Sequence, residues 1–171
     1  RFYELYPQPL VCKVLDSKIV FNYTCITKEV NRTYHQNSRE IIFNPGVKLT
    51  NYYIDVRVLR KFGSVFRQIL EIDQDMCEFT KGISSRDSSM LAKIMNKDGR
   101  RKYGNMFEPC PLVGTRYEKE AVIDYGKMPD VVPAGEYRVD IFGYTIISGK
   151  KNQFILTQCF TNVIPKSTKK G

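Results

Sequence analysis

The chain has 171 residues, the size of one domain, and its 42% apolar content with 11 Tyr and 10 Phe is enough for a real core. No apolar run reaches about 18 residues, so no segment is expected to cross a membrane. The net charge is +9, yet Lys and Arg are spread singly except at 97–102 and in the 166–170 tail, which predicts a solvated basic surface and no nucleic-acid partner.

The first strand signal, "IVFNYTCITKEV" (19–30), is rich in β-branched and aromatic residues. It carries a cysteine and the sequon Asn22-Tyr23-Thr24; a second sequon, Asn31-Arg32-Thr33, follows at once. Both Asn22 and Asn31 are therefore expected glycan acceptors in a secreted, disulfide-bonded chain, with Arg1 the first residue after removal of a signal peptide. The polar stretch around His35 reads as a turn or strand end, with His35 at the surface.

"REIIFNPGVKL" is a strand broken at Pro45-Gly46. In "NYYIDVRVLRKF" (51–62), Tyr52, Ile54, Val56 and Val58 face one way, while Asp55, Arg57 and Lys61 face the other. Gly63-Ser64 is a turn, after which Phe66, Leu70 and Ile72 oppose Arg67 and Glu71. Asp73 and Asp75 read as solvated acids at the strand end. From Asp87 to Asn96, Met90, Leu91, Ile94 and Met95 recur at helical spacing, which predicts one short inserted helix.

Strands return with "TRYEKEAVIDY", then a two-proline loop, then "EYRVDIFGYTII" with Tyr137, Val139 and Ile141 on one face. In "NQFILTQCFTNVI", Phe154, Leu156 and Phe160 oppose Ile155, Cys159 and Val163. Seven to eight strands separated by turns predict an all-β sandwich of immunoglobulin-like type, a single domain over 1–171 with a helical insert at about 78–109 and a basic tail at 165–171.

Five cysteines without a C-x-x-C pair, and one histidine, favour disulfides over a zinc site. Cys77 and Cys110 bound one 32-residue excursion, with Pro111 fixing the return; a bridge there would be worth about 3–4 kcal/mol. A Ser-His-Asp or Cys-His site would have to use His35, and there is no glycine-rich phosphate loop, so no enzyme, catalytic residue, metal or cofactor is expected.

Five segments, in order along nearly the whole chain, carry a resemblance: the Cys12–Cys25 spacing, "EVNRTY" (29–34), Asp75-x-Cys77-x-Phe79, "RKYGNMFEPCPLVG" (101–114) and Pro133-x-Gly135-x-Tyr137-Arg138. With these the chain resembles an insect family of secreted proteins of unknown function that includes CheB-type chemosensory proteins. That family is similar to the ML lipid-recognition superfamily, with its mite allergens, sterol carriers and lipopolysaccharide co-receptor. The resemblance implies an ML-like sandwich whose sheets splay to hold a lipid, with Cys77 and Cys110 at its mouth. In the superfamily those two cysteines stand close in sequence; here they do not. The superfamily also commonly bridges an N-terminal cysteine to the last strand, which implies Cys159 bonded to Cys12 or Cys25, whereas the insect family often pairs its first two cysteines. In an early strand of such a sandwich, Phe21, Tyr23 and Cys25 would turn inward and Asn22 outward.

The expected function is a secreted glycoprotein that binds a lipid or other hydrophobic small molecule between two sheets, in chemosensation or lipid transport. The candidate lining is Ile54, Val56, Val58, Phe66, Leu70, Tyr137, Val139, Ile141, Phe154 and Leu156, with Arg100, Arg101 or Lys102 meeting an acidic headgroup. The competing expectation is an extracellular protein-interaction module with a solid core, acting as a receptor ligand or co-receptor.

Overall fold

The computed structural model describes residues 2–81, 103–123 and 128–167, and they form the expected all-β sandwich. The described residues make nine strands and one short helix: β1 (Tyr3–Pro7), β2 (Val11–Val14), β3 (Val20–Asn31), β4 (Tyr34–Phe43), β5 (Tyr53–Phe62), β6 (Val65–Asp75), α1 (Met76–Thr80), β7 (Thr115–Ala121), β8 (Gly135–Ile147) and β9 (Lys150–Pro165). A large antiparallel sheet runs β1-β9-β8-β5-β6, with β2 also paired to β9, and a small one runs β3-β4-β7. The short strands β1 and β2, which the alternation did not mark, complete the large sheet along β9.

The predicted helix at 87–96 and the basic residues Arg100, Arg101 and Lys102 lie outside the described residues. The helix that is described, α1, begins where a strand end was expected. Asp75 is no loose solvated acid: its Oδ1 accepts from the Glu78 backbone N–H at 3.1 Å and caps the first turn. Met76 and Phe79 on α1 are buried against Ile54 and Val56 of the large sheet, together with Phe107.

The sheets meet most tightly at one end. Ile19, Val20, Tyr23, Ile41 and Phe43 of the small-sheet side pack on Phe154 and Ile155 of β9, with Leu49 and Leu112 beside them. Each large apolar side chain fully buried there stabilises the fold by about 1.5–3 kcal/mol. A third cluster at the opposite end joins Tyr3, Leu5, Tyr137 and Val163. In β4 it is the odd-numbered residues that face the large sheet, since Ile41 and Phe43 belong to the shared core. In β9, Ile155 and Thr157 face the small sheet, because Thr157 shares a hydrogen bond with Tyr23 of β3.

Three β-bulges alter the faces read from alternation. Between Val58/Leu70 and Leu59/Gln68, Ile69 is the extra residue, so Phe66 turns to the outer face while Leu70 stays on the inner one. Between Gly143/Ile155 and Tyr144/Gln153, Phe154 is the extra residue, so it packs in the same cluster as Ile155 and the two do not oppose one another. Between Val20 and Asn22, Phe21 is extra and lies exposed, against the inward position expected for it.

Candidate functional site

Two disulfides clasp the sandwich. Cys12 on β2 of the large sheet is bonded to Cys25 on β3 of the small sheet, their Cα atoms 5.9 Å apart. Cys77 on α1, which follows β6 of the large sheet, is bonded to Cys110 on the segment that enters β7 of the small sheet. One bridge lies at the β2/β3 edge and the other at the β6/β7 edge. The pairing of Cys159 with Cys12 or Cys25 is thereby corrected: β2 and β3 meet at one edge and bring Cys12 and Cys25 together, while Cys159 stands beside Val139 on the inner face. Cys159 lies outside both disulfides.

The ten expected lining residues divide. Registers β5–β8 and β8–β9 place Ile54, Val56, Val58, Tyr137, Val139 and Ile141 on the inner face of the large sheet. Of these, Ile54 and Val56 are sealed under Phe79 and Phe107, and Tyr137 is buried in the third cluster. Val58, Val139 and Ile141 are half-buried. Leu70 shares this face but lies on the edge strand β6 and is 42% exposed. Phe154 joins the main core through its bulge.

Phe66 and Leu156 are on the other side and are withdrawn from the inter-sheet lining. Leu156 is in register with Phe142 on one neighbour and Lys13 on the other. Phe66 lies under Arg138, whose guanidinium carbon is 5.2 Å from the ring centroid. That outer face is held by ion pairs: Arg138 with Asp140 at 2.9 Å, and Arg57, which stands over Phe142, with Asp55 at 2.8 Å. Asp73 also has a partner, since the Tyr144 hydroxyl donates to its carboxylate at 2.7 Å.

The small sheet presents a different wall. Its inward residues beyond Ile41 are Arg39, Asn37 and His35 on β4, with Arg116 and Glu118 on β7. Arg39 Nε donates to Glu118 Oε1 at 2.6 Å, and its Nη1 lies 3.5 Å from the Tyr23 hydroxyl, which in turn meets Thr157 of the large sheet. Burial pushes the Arg39 pKa down, but the Glu118 carboxylate beside it overcomes this and the guanidinium ends above its ordinary value. The phenol of Tyr52 nearby is pushed up to about 12, mainly by burial. Arg116 donates to the carbonyls of Asn105, Glu108, Pro109 and Pro111, which pins the segment carrying Cys110 against the sheet. Burial lowers its pKa, with Glu108 at 3.8 Å working against that.

His35 is not a surface residue. It is 8% exposed, because the stretch read as a polar turn is the first part of β4 and odd positions there point inward. Its Nδ1 is buried without a hydrogen-bond partner. Asn22 and Asn31 are both exposed, Asn31 at the tip of the β3–β4 hairpin with its Oδ1 accepting from the Thr33 N–H at 3.0 Å and from the Thr33 hydroxyl at 3.1 Å.

The sequence reasoning missed Arg39, Arg116 and Glu118. The Arg116-x-Glu118 spacing puts both on one strand face, a signal that the assumption of polar-outward alternation hid. Among the described residues, one shallow surface cleft of about 630 Å³ is lined by Tyr34, Tyr103, Tyr117 and Lys119, and another of about 400 Å³ surrounds Cys77–Cys110; neither is lined by any of the ten candidates. Among the described residues no group of His, Cys, Asp or Glu is placed to hold a metal, and no helix is long and apolar enough to cross a membrane.

These features define a disulfide-clasped antiparallel β-sandwich whose small sheet is apolar inward at Val20, Ile41 and Phe43 and polar inward at Arg39, Asn37, His35, Arg116 and Glu118. The chain belongs to the family described as protein of unknown function (DUF1091), whose model matches residues 50–139, from the approach to β5 through both cysteines of the Cys77–Cys110 bridge and into β8. No curated protein matches the chain.

Proposed function

We infer that the chain is a secreted, N-glycosylated binding protein, without enzymatic activity, that takes a lipid or other hydrophobic small molecule between its two sheets. The observation that carries this is the half-buried apolar row Val58, Val139 and Ile141 on the inner face of the large sheet, flanked by the two clusters against which these residues pack. Each methylene buried on that row gains about 0.8 kcal/mol. The two disulfides support an oxidising, extracellular compartment, as do the exposed sequons. The likeness to CheB-type proteins and to the ML superfamily supports a role in chemosensation or lipid transport.

The test is made on protein secreted from insect cells. Glycosidase should lower its mass through Asn22 and Asn31, organic extraction should yield a co-purifying lipid, and N-phenyl-1-naphthylamine should bind with a rise in fluorescence. Val139→Trp should block that binding, with its melting temperature read alongside because the half-buried Val139 flanks the cluster under Phe79 and Phe107. Val56 is unsuited to this purpose, since it lies in the packed cluster under Phe79 and Phe107.

One observation favours the alternative, an extracellular protein-interaction module acting as a receptor ligand or co-receptor. The edge strand β3 exposes Phe21 and Ile26, the latter at 73%, on a free row of backbone groups. Absence of both lipid and dye binding in the wild type, with Val139→Trp strongly destabilising, would select this reading.

A further inference from the structure

The outer face of the small sheet carries both sequons and a surface cleft. Asn22 is in register with Ile42 and Asn31 with Tyr34, and the even-numbered residues of β4 point away from the large sheet, so both asparagines project on the outer face. The cleft of about 630 Å³ lies on that face too, between β4, β7 and the segment 103–108, and Tyr34 is part of its lining. Deepening the N-glycosylation reading, on which it rests, we propose that this cleft is the docking site of the chain's own Asn31 glycan, whose first sugars pack on Tyr34 and run toward Tyr117.

The attachment point puts the first sugar at the cleft. Asn31 and Tyr34 close the turn of the β3–β4 hairpin as a cross-strand pair, and side chains so paired stand about 5 Å apart on one face. Asn31 Oδ1 accepts from the Thr33 N–H at 3.0 Å and from the Thr33 hydroxyl at 3.1 Å, while Nδ2, the other end of the amide, is the atom that bears the sugar. From Tyr34 the cleft passes Gln36 and Lys119 to Tyr117. Tyr117 is in register with Glu40, six residues along β4 from Tyr34, so the lining extends over about 20 Å. A sugar tethered at its edge has an effective concentration in about the millimolar range, which favours it over a free saccharide.

The lining suits a neutral saccharide. A pyranose ring presents a C–H face, which packs on a flat aromatic ring, and a rim of hydroxyls, which needs donors and acceptors. Tyr34 and Tyr117 are 40% and 45% exposed, and Tyr103 completes the aromatic lining. Gln36 brings an amide, while Lys119 and Glu120 bring one charge of each sign, which favours an uncharged occupant over an ionic one. The wall is built in advance. The Lys119 N–H donates to the Tyr103 carbonyl at 2.8 Å and the Met106 N–H to the Tyr117 carbonyl at 3.0 Å. A Cβ on Gly104 would collide with that Tyr117 carbonyl, so a glycine is what lets the segment lie against β7. A cleft already in place spares the sugar the cost of ordering it.

The experiment uses the full chain secreted from insect cells with mannose trimming blocked, so that both sites carry high-mannose glycans. Folded and denatured protein are treated with endoglycosidase H, and release at each site is followed by mass spectrometry. In the folded protein the Asn31 glycan should be released about tenfold more slowly than the Asn22 glycan, as about 1.4 kcal/mol of docking gives, and in the denatured chain the two rates should agree. Tyr34→Ser and Tyr117→Ser, made singly at exposed positions, should each raise the Asn31 rate several-fold and leave the Asn22 rate alone. In the wild type, the C–H protons of the Asn31 sugars should lie upfield of their positions in the released glycan, under the tyrosine rings; this reading needs no variant to fold. Equal release at the two sites, slow release that survives both substitutions, or unshifted sugar protons overturns the docking and leaves glycosylation standing. A wild-type Asn31 that carries no glycan overturns both.

Discussion

Glu118→Leu offers a sharp test of the charged inner wall. The Glu118 carboxylate is 3% exposed and sits 2.6 Å from Arg39 Nε, itself only 16% exposed. Removing it leaves a guanidinium inside the sandwich with the Tyr23 hydroxyl 3.5 Å away in place of a charge. Breaking a buried pair in this way costs about 3–5 kcal/mol. In a domain of this size about 1 kcal/mol moves the melting temperature by about 2–4 °C, so a fall of about 6–20 °C is expected. The double variant Arg39→Met/Glu118→Leu removes both charges and should recover most of the loss. Thermal denaturation followed by circular dichroism, with urea titration as a second reading, measures both. A Glu118→Leu melting temperature within about 2 °C of wild type, or a double variant worse than the single one, refutes the picture of a tightly coupled interior pair.

Three further outcomes are expected. Replacing Cys77 and Cys110 by Ala should cost about 3.7 kcal/mol for a separation of 33 residues, and replacing Cys12 and Cys25 about 2.9 kcal/mol for 13; urea midpoints of the two double variants should keep that order. Because burial raises the Tyr52 pKa from 10.0 to about 12, the neutral phenol is the form the fold favours. Its contribution is whole below about pH 10 and is lost as pH climbs through about 12, and Tyr52→Phe should flatten the stability profile over that window. Gly143→Ala would place a Cβ 2.6 Å from Ile155 Cγ1 on the inner face, and calorimetry should show a loss of about 1–3 kcal/mol with the sheet content unchanged.

Much of the fold was legible. The alternation in β5 and β8 put Ile54, Val56, Val58, Tyr137, Val139 and Ile141 on one face, and they share it. What failed did so at the bulges. Ile69, Phe21 and Phe154 look like ordinary strand residues, and a bulge that leaves no Gly or Pro mark moves every following side chain to the other face, which is how Phe66 came to be misplaced. Leu156 failed for a related reason: it alternates correctly with Ile155, but the inner face belongs to Ile155. His35 was misread because "RTYHQNSRE" is polar on both faces, and the burial of its inward half depends on a sheet that lies far away in sequence.

The polar half of the small sheet's inner face and the two bridges bear on one another. A sandwich ordinarily holds its sheets together by interdigitating apolar side chains over the whole contact. Here that occurs at the end built on Phe154, Ile155, Val20 and Phe43, whereas farther along β4 the inward residues Arg39, Asn37 and His35 are polar and gain little from apolar burial. Among the described residues, the large apolar side chains shared between the sheets belong to the Phe154 end. The Cys12–Cys25 and Cys77–Cys110 bridges hold the two edges. A covalent clasp at both edges keeps a sandwich assembled even where its facing residues are apolar on one sheet and polar on the other, and the binding reading proposed above depends on that half. That half therefore leans on the clasp more than the Phe154 end does, so loss of either bridge should loosen it before the packed end, a difference that hydrogen exchange at β4 and β9 would read.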